Sequence, residues 1–295
     1  MIMLRVLLSV VCIAISLTAL SVDAQAAAVR PGFNSTSDGR NDDGTFTAPA
    51  GCTNSGNGGT CGAGTAVSLG FTANFFGLPF TTAFINTNGN ITFDQALSTF
   101  TPFGLTNTAR QIIAPFFADV DTRNVASGVV TFGNGSVDGH TAFGVNWINV
   151  GYFNQHVDKT NSFQLILIDR SDIGQGDFDI EFNYDRVAWE TGDASGGHNG
   201  LGGSSATAGF SNGTGAAGTF FQFLGSGVPG GLLDDNAATG LINHSLNSDV
   251  LGRYDFFARN GEIEVPPILT PEPSGFLLIG SALTGLALTR RRRRR

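Results

Sequence analysis

Cationic side chains are scarce in this chain away from its last six positions, and lysine is almost missing. Between residues 27 and 270 there are nine basic residues, of which Lys159 is the one lysine, against 22 acidic ones, a net charge of −13. Binding a polyanion by counterion release needs clustered Lys and Arg, so no nucleic-acid partner is expected. An acidic body is suited instead to divalent cations or basic partners. Cysteine is nearly as rare. Cys12 falls in an N-terminal apolar run, leaving Cys52 and Cys61, nine positions apart among Gly, Asn and Ser. A metal centre would need more Cys or His nearby; the pair is expected to close a small disulfide in an oxidising compartment, with two free thiols as the alternative. Helical periodicity is also lacking, as are an HExxH pair and a Gly-x-Ser-x-Gly elbow. The four histidines, His140, His156, His198 and His244, are widely separated.

What is present sorts by polarity along the chain. Residues 1–26 carry one cation, Arg5, an apolar run over 6–20, and small residues around Ala24 and Ala26. That is the pattern of a secretory signal peptide, too short for a comfortable span, with an uncleaved anchor as the alternative. At the other end, Pro271-Glu272-Pro273 precedes an uncharged stretch over 274–289, and Arg290, Arg291, Arg292, Arg293, Arg294 and Arg295 close the chain. An apolar stretch of this kind predicts a transmembrane helix, slightly shorter than the usual ~20 residues. Adjacent arginines stay on the cytoplasmic side, so they read as a stop-transfer cluster with the main body outside.

Pro-Glu-Pro, apolar helix and arginine cluster together resemble the PEP-CTERM sorting signal of Gram-negative bacteria that make extracellular polysaccharide. The resemblance implies a transient inner-membrane anchor, cleavage near Pro271, Glu272 and Pro273 by an exosortase (an integral-membrane cysteine protease), and release toward the cell surface. Five parts are therefore expected. They are the signal peptide (1–26), a Gly/Asn-rich segment joining the β-domain (27–69), the β-domain (70–262), a linker (263–270) and the sorting signal (271–295).

The body reads as short strands between turns. Its share of the chain's 41 glycines and 25 phenylalanines, 38 and 24 respectively, predicts an all-β, single sandwich-like domain of antiparallel strands with long Gly-rich loops. Burying Phe side chains at ~1.5–3 kcal/mol each supplies the core. Over 177–184 the alternation is strict: Phe178, Ile180, Phe182 and Tyr184 share a dry face, and Asp177, Asp179, Glu181 and Asn183 a wet one. Residues 163–168 are apolar on both faces and predict a central strand. Asn88-Gly89 between alternating arms predicts a type I′ hairpin. Pro115, within the run 112–117, predicts an edge or bulged strand. Segments 143–147, 220–224 and 254–258 are further strands, and 191–205 a flexible surface loop.

Six stretches of the body resemble the NIDO domain, the extracellular module of nidogen, tectorin and membrane mucins. They are Phe84-Ile85-Asn86-Thr87-Asn88-Gly89-Asn90-Ile91-Thr92-Phe93, the run 113–122 with Pro115-Phe116-Phe117-Ala118-Asp119-Val120-Asp121, then 163–168, 180–184, Val187-Ala188-Trp189-Glu190-Thr191-Gly192, and Ala208-Gly209-Phe210-Ser211. One copy over roughly 70–260 is implied. So is a role in cell–matrix adhesion without catalysis, here within extracellular polysaccharide.

Two patterns carry chemistry of their own. Asp119 and Asp121 share one strand face, where hard oxygen ligands suit calcium; a solvated acidic edge is the bland alternative. The Asx-rich loop 38–44 departs from the EF-hand spacing and reads as a turn cluster. Trp189, beside a turn, is the aromatic expected to be exposed and to contact a ligand such as a sugar, although such residues are more often core. The leading expectation is a non-enzymatic surface and matrix protein. A lectin-like module centred on Trp189 comes second and a secreted hydrolase third.

Overall fold

The computed structural model describes residues 27–45 and 64–265. The expected signal peptide, Cys52 and Cys61, the expected sorting motif and spanning stretch, and the terminal arginines lie outside them. Among the described residues no helix is long and apolar enough to cross a membrane.

Among the described residues fourteen strands form two antiparallel sheets. The first runs β1 (Thr36–Gly39), β7 (Val130–Val137), β8 (His140–Tyr152), β9 (His156–Asp169), β10 (Phe178–Arg186), β13 (Arg253–Arg259) and β14 (Glu262–Ile263). Beside the end of β8 it also takes in β6 (Val120–Asp121). The second runs β12 (Phe220–Gln222), β11 (Thr207–Ser211), β5 (Ile112–Phe117), β4 (Asn90–Thr92), β3 (Leu78–Asn86) and β2 (Val67–Phe75). Among the described residues the helical content is three short 3-10 turns, at Leu105–Asn107, Asp193–Ser195 and Leu241–Asn243. Phe75, Phe116, Phe163, Phe182, Phe210 and Phe256, contributed by both sheets, meet in one buried core. The sandwich expected from the turn spacing is therefore the architecture, and residues 27–45 are part of it.

β9 is central, as its two-sided apolar pattern requires. Phe163, Leu165 and Leu167 enter the main core, while Ile166 and Ile168 join Phe33, Val137 and Ala142 on the other face. In β10 the dry face is as read, with Phe178, Ile180, Phe182 and Tyr184 all buried. The wet face is not wet: Asp179, Glu181 and Asn183 are buried too. The N-terminal segment lies over it. Arg30 donates to both oxygens of Glu181 at 2.8–3.1 Å and exchanges backbone hydrogen bonds with the Gln164 amide, while Asp185 accepts from the amides of Ala28 and Val29. Alternation reports polarity, and the polar face is here an ionic seam beneath another piece of chain.

One turn-level reading is corrected and another is narrowed to one of its two alternatives. Asn86 pairs with Asn90, so the hairpin loop has three residues, 87–89, and only Gly89 has positive φ (73°). A type I′ turn would place Asn88 there as well. Gly89 is fixed by contact: a Cβ would stand 1.8 Å from the carbonyl oxygen of Phe116. β5 is an interior strand between β4 and β11, and its register with β11 shifts between Ala114 and Phe117, so Pro115 sits at a bulge and not on an edge.

Candidate functional site

Where β5 gives way to β6, Ala118 and Asp119 turn the chain inward. Val120 N–H donates to Asn88 Oδ1 at 2.9 Å, which ties this corner to the 87–89 loop. Residues 40–45 are stitched into the same corner. Thr122 N–H donates to the Asn41 carbonyl at 2.8 Å, and Asn41 N–H donates to Thr122 Oγ1 at 2.7 Å. Thr87 N–H donates to the Gly44 carbonyl at 3.0 Å, and Arg40 caps the carbonyls of Thr122, Val125 and Ser127. The loop read as a turn cluster thereby delivers Asp42 and Asp43 against Asp119.

One carboxylate oxygen from each of Asp42, Asp43 and Asp119 lies within 4.8 Å of the others, and all three residues are buried. Asp43 accepts from Asn88 Nδ2 at 3.0 Å. Asp42 has Arg123 Nη2 3.0 Å away as an ion pair, though without hydrogen-bond geometry. Asp119 is fully buried and neither of its oxygens has a hydrogen-bond partner. Gly192 closes over it so tightly that a Cβ there would lie 2.5 Å from Asp119 Oδ2. Thr191 Oγ1, one residue earlier, is also buried and unpartnered.

Electrostatics follow from this packing. Burial, then repulsion from Asp43 and Asp42, pushes the Asp119 carboxyl up to about 9. Burial and the neighbouring Asp43 and Asp121 push Asp42 up to about 8, and burial raises Asp43 as well. Arg123 opposes all three shifts but sits to one side, its guanidinium 5.6 Å from the centre of the Phe153 ring.

The sequence paired Asp119 with Asp121; the structure gives them different surroundings. Asp121 accepts from the Arg123 backbone and side chain and from Gln155 N–H, all at 2.5–2.9 Å, and is satisfied. The partners of Asp119 are instead 76 and 77 positions upstream. The one local sign was the adjacent acidic pair Asp42-Asp43, just after Asn41, whose side-chain oxygen accepts from Asp42 N–H. Among the described residues this is the one group of three or more His, Cys, Asp or Glu placed to share an ion.

The exposure expected for Trp189 is overturned. Its relative exposure is 0 %, its ring meets Phe116 edge-on at 5.8 Å and Tyr152 at 5.3 Å, and Nε1–H donates to the Val150 carbonyl at 3.1 Å. Asn161 holds its backbone from both sides. A side chain with this many internal partners is core, and it offers no face to a sugar. Trp147 is buried in the same way, stacked on Phe163.

A family model described as the nidogen-like domain matches residues 81–259, from within β3 to the end of β13. Among curated proteins, alpha-tectorin of Mus musculus and alpha-tectorin of Homo sapiens are each 32% identical over 232 residues, covering 69% of this chain and 10% of the relative. Alpha-tectorin of Gallus gallus is 31% identical over 229 residues, with the same coverage. The matched region is thus about a tenth of the length of these relatives. No solved structure matches.

Proposed function

The chain belongs to the nidogen-like domain family, and on that premise we propose that it is a non-enzymatic adhesion module working outside the cell. In this reading the signal peptide exports it, an exosortase removes its arginine-tipped anchor, and the mature sandwich mediates cell–matrix contact within extracellular polysaccharide. The observation that carries the proposal is the extent of the family match, which takes in most of β3 and every strand from β4 to β13. The acidic body, the apolar ends and the Pro271-Glu272-Pro273 motif support the export route.

The two rival readings lose their residues. A lectin-like site centred on Trp189 needs a ring that a sugar can reach, and this ring is enclosed. A hydrolase using Asp119 needs that carboxyl to meet a polymer, and it has no exposed surface.

The test is to follow the chain in a polysaccharide-producing host. Intact-mass analysis is expected to find the mature form in the matrix fraction, lacking the six terminal arginines. A mature form retained in the cytosol, or released without any affinity for purified matrix, would overturn the proposal.

A further inference from the structure

We propose that Asp42, Asp43 and Asp119 form a calcium site that fastens residues 40–45 to the corner between β5 and β6. The first ground is convergence: three carboxylates from two distant parts of the chain point oxygens into one spot no wider than 4.8 Å. The second is the state of Asp119, a fully buried carboxylate with no donor on either oxygen. A buried charge left without partners costs several kcal/mol and persists in folds mainly where something compensates it. Here the neighbours worsen the cost, because they are also carboxylates.

Arg123 does not supply the compensation. Its guanidinium is bidentate on Asp121 and reaches only the edge of the cluster, at Asp42. Ionised, with Asp121 and Arg123 cancelling, the triad would carry three negative charges, and a divalent cation is the compact species that can balance most of them.

The donor set points to calcium. All donors in the group are carboxylate oxygens, and the absence of His and Cys from the cluster disfavours zinc, copper and nickel. Magnesium keeps several waters and demands a regular octahedron, whereas calcium accepts mixed mono- and bidentate carboxylates in an irregular shell. Bound calcium would bridge the N-terminal segment (Asp42, Asp43) to the sandwich (Asp119), closing a loop of about 77 residues with contacts that backbone hydrogen bonds at Asn41 and Gly44 already pre-align.

This inference concerns the fold's own residues and stands whether or not the adhesion reading holds. The full chain, purified and stripped with EGTA, is titrated with calcium chloride by calorimetry and by thermal melting. One calcium per chain is expected, with Tm rising as the ion is added through the ~0.1–1 mM range used by extracellular modules. Tryptic cleavage after Arg40 is expected to slow at least about fivefold on adding calcium, since binding suppresses local opening. Asp119→Asn, which keeps the shape, should lose all three responses while melting no lower than wild type in EGTA; Asp43→Asn serves if that variant does not fold. Asp249→Asn, at an exposed position outside the cluster, should respond as wild type. No heat and no Tm change with calcium would overturn the site. So would an equal response to magnesium, or an Asp119→Asn protein that still binds as wild type.

Discussion

Glu181 on β10 and Asp255 on β13 are direct cross-strand partners, two carboxylates facing each other on the outer face of the larger sheet. Like charges in that relation are destabilising. The conflict is resolved on one side: Glu181 takes the Arg30 guanidinium at 2.8 Å with Arg253 Nε 3.6 Å away, and Asp255 has no ion pair among the described residues. The outer face of the sandwich is therefore held by a cation brought in from residue 30, far from either strand in sequence.

Asp255 should make stability depend on pH. Burial first, and Glu181 second, push its carboxyl from near 3.8 up to about 7, against the opposing pull of Arg253 and Arg30, with Asp179 adding a further small push. A carboxyl whose folded pKa is raised binds its proton more tightly in the native state. Its contribution is therefore most favourable below pH 4, falls as pH rises, and is at its worst above pH 7. Asp255→Asn removes that cost. The variant is expected to be about 1–2 kcal/mol more stable than wild type at pH 8 and equal to it near pH 4, by urea denaturation at both values. A constant difference across that range would contradict the assignment.

Arg30→Ala strips Glu181 of its main partner and leaves a charge with 2 % side-chain exposure. Breaking a buried pair costs ~3–5 kcal/mol; with Arg30 itself 27 % exposed and Arg253 still near, about 2 kcal/mol is expected here. Double substitution with Glu181→Gln should recover most of the loss, because the stranded charge is then gone. An equal or larger loss in the double variant would show that Arg30 acts through packing alone.

How far the sequence revealed this molecule depended on distance along the chain. Period-2 alternation identified β10 and its core face because strand geometry is local, and the two-sided apolar run identified β9 as central. Residues 27–34 lying over the polar face of β10 could not be read that way: the hydrogen bonds that place them link positions more than 100 apart. The acidic cluster shows the same limit. Asp119 was legible as a candidate ligand, but strand spacing nominated Asp121 as its companion, and the actual companions come from a loop whose sequence departs from known cation motifs. Trp189 was misplaced because a turn sequence beside an aromatic carries no record of what will fold over it.

Gly89→Ala tests the corner on which the candidate site is built. The residue combines a φ of 73° with a backbone carbonyl 1.8 Å from where a Cβ would stand, so the chain must shift for any side chain. Strain and overpacking together should cost about 2–4 kcal/mol. The shift would also disturb the Phe116 N–H bond to the Gly89 carbonyl and, through Asn88, the hydrogen bond to Asp43. Thermal melting should show the loss. A variant melting as wild type would mean that the 87–89 loop does not pack as described.

Trp189 offers the clearest separation of packing from recognition. Its ring touches Phe116 from the second sheet and Tyr152 from the first, its Nε1–H is satisfied by Val150, and its carbonyl accepts from Asn161. Trp189→Ala would open a cavity between the sheets and strand the Val150 carbonyl, at an expected cost of about 3–5 kcal/mol. Trp189→Phe keeps most of the volume and forfeits the hydrogen bond, so about 1–2 kcal/mol is expected. Both losses should appear in denaturant midpoints with no ligand present, and matrix affinity measured well below each variant's Tm should stay at the wild-type level, because no surface atom has changed. A Phe variant that melts as wild type yet loses matrix binding would show the ring at work on a partner, and the sandwich interior drawn here would have to be redrawn around it.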